Sequence, residues 1–142
     1  MLKSAEILLV EDNPGDIRLV QEAFKEGGFT CKLHVVRDGE QAISFLRKKG
    51  AYEKSPRPSL VLLDLNLPRK SGREVLAEIK QEHSLKCIPV VVFSTSTNPE
   101  DINAAYRLQA NCYIVKPEDM DSLIQLSKLI ERFWFRTVWL PV

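Results

Sequence analysis

The sequence is short of cysteine, and the three it has are poorly placed for one another. Cys31, Cys87 and Cys112 are odd in number and show no C-x-x-C spacing, so neither a disulfide framework nor a zinc site is indicated. They are expected to be small core residues. Histidine is scarcer still: His34 and His83 stand alone, are expected to face solvent and receive no metal role. No sign of charge prevails, since 20 basic side chains meet 19 acidic ones. That balance removes the electrostatic case for a nucleic-acid partner or an anionic membrane. The longest apolar runs, Ile7–Val10 and Leu60–Leu63, fall far below the roughly 18 residues needed to cross a bilayer. The first residues carry no leader pattern. A cytoplasmic location is expected, with neither nucleic acid nor membrane as partner.

What remains is enough for one globular domain: 142 residues, 44% hydrophobic and 27% charged. Stretches 6–10, 60–63, 88–93 and 112–115 are short and almost continuously apolar. Runs of this kind fit strands buried on both faces of a parallel sheet, and Leu33-His34-Val35-Val36 fits an edge strand. Between them lie helical stripes: Ile17, Val20, Ala23 and Phe24; Ala42, Ile43 and Leu46; Val75, Leu76 and Ile79; Leu123, Leu126, Ile130 and Phe133. Asn13-Pro14 and Asn98-Pro99 place an N-cap before a proline, Ser71-Gly-Arg-Glu74 has capping-box spacing, Asp38 opens the second helix and Gly27-Gly28 closes the first. Arg47-Lys48-Lys49 suits a solvated helix end. Gly50–Pro58 is expected to be a long loop. Alternating strands and helices predict a three-layer, doubly wound α/β domain of flavodoxin-like type, with five parallel strands ordered 2-1-3-4-5.

In such a sheet ligands bind beyond the carboxyl ends of the strands. The first strand ends in Glu11-Asp12, the third in Asp64-Leu65-Asn66, the fourth in Ser94 and the fifth in Lys116-Pro117. Two carboxylates about 4 Å apart repel by roughly 4 kcal/mol at an effective dielectric near 20. Three acids at one rim therefore call for a cation. Hard oxygen ligands favour Mg²⁺ or Mn²⁺, which would bring a phosphate close to Asp64, with Ser94 and Lys116 orienting its oxygens.

These residues, with Pro68 and Gly72, resemble a response-regulator receiver domain of two-component signalling, over residues 5 to about 132. The loop GAYEKSPRP, the stretch LLDLNLPRKSGREVLAEIK and the ending ERFWFRTVWLP are similar to stand-alone phytochrome response regulators. The resemblance implies that Asp64 accepts a phosphoryl group from a histidine kinase, a phytochrome being the favoured partner. It implies a metal held by Glu11, Asp12, Asp64 and the Asn66 carbonyl, a phosphate-contacting Lys116 joined to Pro117 by a cis bond, and Ser94 and Tyr113 as switch residues. Ser94 stands where threonine is commoner, and Glu118 where many receivers have phenylalanine. The protein would then be a phosphoacceptor and not an enzyme in the ordinary sense.

Residues 133–142 form an apolar arm beyond the receiver (1–132). Phe133, Trp134, Phe135, Val138, Trp139 and Leu140 are expected to build a homodimer interface, the competing possibility being that the arm packs over its own domain. Two other functional classes are open. A phosphatase with an aspartyl nucleophile would want an acid where Asn66 stands, and an adaptor that no longer takes phosphate would have lost the acceptor, the acidic pair or the lysine. Service as a phosphate sink or phosphorelay intermediate is an alternative output.

Overall fold

The computed structural model describes residues 5–141; Val142 of the arm lies outside them. Five strands, β1 (Ala5–Val10), β2 (Cys31–Val36), β3 (Leu60–Leu63), β4 (Val90–Ser94) and β5 (Cys112–Val115), alternate with α1 (Pro14–Glu26), α2 (Gly39–Arg47), α3 (Gly72–Gln81), α4 (Pro99–Arg107) and α5 (Met120–Ile130). All neighbouring strands run parallel, in the order β2-β1-β3-β4-β5. The three-layer, flavodoxin-like architecture expected from the strand–helix alternation is the one observed. None of the described helices is long and apolar enough to cross a membrane.

The continuous apolar runs follow from having helices on both sides. Side chains alternate across a strand, so Leu8, Val10, Val61, Leu63, Val90 and Val92 pack under α2, α3 and α4. Their neighbours Ile7, Leu9, Leu60, Leu62, Val91 and Phe93 pack under α1 and α5. Every residue of β3 is buried, as a central strand requires.

Local chemistry sets the helix starts. The Asn13 side chain accepts from the Asp16 N–H, Asp38 from Gln41 and Asn98 from Glu100. Ser71 and Glu74 make a complete capping box at α3, and Asp119, which the sequence pattern did not single out, caps α5. Gly72 is required by close approach: a Cβ there would stand 2.2 Å from the Asp64 carbonyl oxygen. The first turn of α3 thus lies directly against the end of β3.

Several expectations need correction. β4 begins at Val90, after Pro89, and not at residue 88. The segment before β3 includes a 3₁₀ turn at Gly50–Tyr52. Its Tyr52 ring lies 5.5 Å from that of Phe45, so this loop is partly anchored. His34 does not simply face solvent: its Nε2 lies 2.7 Å from Glu6 and its ring 5.5 Å from Phe45. Cys87 is exposed, while Cys31 and Cys112 are only half-buried. Burial pushes the Cys31 thiol up to about 11, so it stays protonated at neutral pH.

Past α5 the chain forms a single π-helical turn, Glu131–Phe135. The Phe135 ring lies 5.4 Å from Phe29, which in turn stacks on Phe24 at 5.6 Å. Trp134 and Phe135 are partly buried and pack against their own α1–α5 face. Phe133 and Trp139 are exposed, with Leu129 of α5 beside them in the chain, and Val138 and Leu140 are half-buried.

Candidate functional site

Register brings the site together. Val10 pairs with Leu63, so Glu11 and Asp64 leave adjacent strands side by side, and the Asp64 N–H donates to the Val10 carbonyl at 3.0 Å. Ser94 pairs with Val115, and the Lys116 N–H donates to the Ser94 carbonyl at 2.8 Å. Four strand ends thus meet at one rim.

The Lys116 ammonium sits at the centre of that rim. It donates to Glu11 Oε1, to Asp64 Oδ2 at 3.0 Å and to Asp16 Oδ2 at 3.1 Å. It also lies 5.7 Å from the centre of the Phe93 ring. Burial opposes its charge, but the Glu11 hydrogen bond and the Asp64 carboxylate outweigh that, and its pKa is pushed above the ordinary lysine value. Glu11 is nearly enclosed, and burial pushes its carboxyl up against the opposing bond from Lys116. Its second oxygen accepts from the Asn13 N–H at 3.0 Å. Asp64 holds Lys116 on one oxygen and the Asn66 N–H on the other, at 3.2 Å. Only 9% of its side chain meets solvent.

The remaining expected residues stand at the rim in different ways. Asp12 is exposed; its carbonyl accepts from Arg37 at 3.1 Å, and its carboxylate makes no hydrogen bond among the described residues. Ser94 is fully buried, and its hydroxyl accepts from the Ser96 N–H at 3.2 Å and does not contact Asp64 or Lys116. The Tyr113 hydroxyl donates to the Ser96 carbonyl at 2.9 Å, so this ring is tied to the β4–α4 loop as well as packed on the core. Ser96 in turn donates to Asp101 at 2.6 Å, and Asp101 pairs with Arg73 at 2.5 Å. The Ser96 bond and the Arg73 charge hold the Asp101 carboxyl below its ordinary range. The cis Lys116–Pro117 bond implied by the resemblance is not found; the bond is trans.

Asp16 is the member of the site that the sequence pattern missed. The first turn of α1 was legible as a capped helix start, and the fact that this turn overlies the rim is the signal that could have pointed to it. A larger concavity of about 410 Å³, lined by Asp38, Gln41, Tyr52 and Arg69 among others, lies away from these groups. It holds no convergent nucleophile, and the charges locate the site instead. Beside the rim, a cleft of about 240 Å³ is lined by Asn66, Ser94, Ser96, Arg73 and Asp101.

The donors suit a hard divalent cation. Asp12 and Asp64 offer carboxylate oxygens and the exposed residue Asn66 a backbone carbonyl, all oxygen ligands of the kind Mg²⁺ and Mn²⁺ prefer. Among the described residues no three acidic, histidine or cysteine side chains already enclose a common point. The lysine provides the positive charge that the acids need.

Comparison with known proteins agrees with this geometry. Residues 7–128 match the family model described as response regulator receiver domain. The chain is 54% identical over 135 residues to the response regulator Rcp1 of Synechocystis sp., covering 95% of this chain and 92% of the relative. The crystal structure of the Mn²⁺-bound form of Rcp1 superposes with a TM-score of 0.88 at 53% identity, covering 97% of this chain and 99% of that one. That of the phosphorylated cyanobacterial phytochrome response regulator RcpA gives 0.92 at 51% identity, covering 99% and 100%.

Proposed function

The chain belongs to the response regulator receiver domain family, and we propose that Asp64 is its phosphoacceptor, charged by a phytochrome-type histidine kinase in the cytoplasm. The observation that carries this reading is the Asp64 carboxylate at the rim, held by Lys116 and the Asn66 N–H, with a small part of its side chain still meeting solvent. The Mn²⁺-bound and phosphorylated relatives support it.

Asp64 attacks phosphorus in line as the bond to the donor histidine breaks, leaving an acyl phosphate and a neutral imidazole. Glu11, Asp12, Asp64 and the Asn66 carbonyl would hold Mg²⁺ or Mn²⁺, which offsets the charge on the transferring group. Lys116 donates to the phosphoryl oxygens. The new group adds about −1.5 to −2 charge, which draws the Ser94 hydroxyl off the Ser96 N–H. Movement of that loop carries Tyr113 with it, because the tyrosine is bonded to the Ser96 carbonyl. Inverting a population from 1:99 to 99:1 takes about 5.5 kcal/mol. Hydrogen bonds to a charged group contribute about 1.5–3 kcal/mol each, so Ser94 and Lys116 together are nearly sufficient. The protein turns over no separate substrate; it modifies itself and changes its contacts. A homodimer forms through Leu129, Phe133 and Trp139, with Val138 and Leu140 at the margin.

Intact-mass measurement after incubation with acetyl phosphate and Mg²⁺ tests this. One phosphoryl adduct is expected, absent with EDTA and absent in Asp64→Asn. Consumption of acetyl phosphate without an adduct would point to the phosphatase instead, although Asn66 supplies no general acid for it.

A further inference from the structure

We propose that Asp16 is a positioning residue for phosphoryl transfer: it forms the third arm of a tripod that fixes the Lys116 ammonium beside Asp64. This rests on the reading of Asp64 as the phosphoacceptor. An ammonium has three protons, and here each has its own carboxylate, on Glu11, Asp64 and Asp16. The three acids come from different elements. Glu11 follows β1, Asp64 follows β3, and Asp16 sits in the first turn of α1.

Their surroundings differ as well. Glu11 and Asp64 are largely enclosed, whereas Asp16 keeps 37% of its side chain in solvent. Asp16 is also fixed in place, because its own N–H is held by the Asn13 cap at 3.0 Å. Glu11 and Asp64 lie side by side, so with these two alone the ammonium would settle between them. The Asp16 arm adds a third point of attachment from α1, so the ammonium is fixed while it stays bonded to Asp64 Oδ2 at 3.0 Å. When the acyl phosphate forms, the Asp64 acceptor is replaced by a phosphoryl oxygen, and the arms to Glu11 and Asp16 hold the ammonium where that oxygen arrives.

The test is a double-mutant cycle between Asp16→Asn and Lys116→Ala, following adduct formation from acetyl phosphate at saturating Mg²⁺. Asp16→Asn is expected to slow phosphorylation about tenfold, with Asp16→Glu restoring much of the rate and no effect of Asp16→Asn in the Lys116→Ala background. Equal slowing in both backgrounds would reduce Asp16 to a helix-stabilising residue and overturn the proposal. A faster rate would mean that Asp16 merely repels the anionic donor, an unchanged rate that it takes no part in the transfer, and either would overturn the proposal. A second measurement does not depend on phosphorylation. In the cation-free protein the Lys116 ammonium protons should give a resolved NMR signal that Asp16→Asn broadens by faster exchange with water. An unaltered signal contradicts the tripod even if Asp64 proves to be the acceptor. A phosphorylated Asp64→Asn variant would refute the acceptor reading while leaving the NMR result to stand alone.

Discussion

Lys116 links three carboxylates that would otherwise repel one another, and that sets its contribution to the resting protein. Removing one partner from a buried ion pair typically costs 3–5 kcal/mol, because it leaves uncompensated charge. Lys116→Ala is therefore expected to lower unfolding stability by about 3 kcal/mol in EDTA, and Mg²⁺ should recover part of the loss; urea titrations with and without Mg²⁺ measure both. The pH dependence follows from the raised pKa of the lysine. A cationic group whose folded pKa exceeds the unfolded value contributes fully below the unfolded value, about 10.4, and loses that contribution as pH climbs through the folded one. Between those two values wild-type stability should fall more steeply with pH than that of Lys116→Ala. Most of this cluster was legible in the sequence, because Glu11, Asp64 and Lys116 each follow an apolar run directly. Asp16 was not, since it becomes part of the site only when α1 is laid against the rim. The resting position of Ser94 was hidden for a similar reason: its bond to the Ser96 N–H is a local turn contact that no residue pattern specifies.

Among the elements, the β4–α4 loop is tied on several sides. Ser96 alone bonds through its N–H, hydroxyl and carbonyl to Ser94, Asp101 and Tyr113, and Asp101 carries the link on to Arg73 of α3. Tyr113→Phe keeps the ring in the core and removes one hydrogen bond, for a cost of about 1 kcal/mol. Amide exchange should accelerate at residues 96–98 and stay unchanged in α1. If exchange does not respond, Tyr113 is packing alone and not a reporter of the loop. Strands and helices were legible here because the alternation of buried faces is strong, and the caps marked the helix starts well. The ends were less so: Pro89 delays β4, and no residue type announces a π turn after α5, which arises from how Trp134 and Phe135 find space beside Phe29.

At the scale of the molecule, the arm divides its aromatics between two tasks. Trp134 and Phe135 close the α1–α5 face, while Trp139 is almost wholly exposed, at 99%. Trp134→Ala should therefore cost about 1.5 kcal/mol of stability, as expected for a partly buried aromatic. Trp139→Ala should leave stability unchanged and shift light scattering towards the monomer mass. A dimer indifferent to Trp139 and Phe133 would remove the arm from the interface. The sequence could flag the arm as surplus apolar surface but could not apportion it, since that depends on which rings reach Phe24 and Phe29. The central claim is that one carboxylate, on Asp64, takes the phosphoryl group. Its most direct test is to load the protein with acetyl phosphate and Mg²⁺, reduce it with borohydride and map the peptides by mass. Homoserine at position 64 and nowhere else is the predicted result; homoserine at Asp12 or Asp16, 5-hydroxynorvaline at Glu11, or no reduced residue at all, would contradict it.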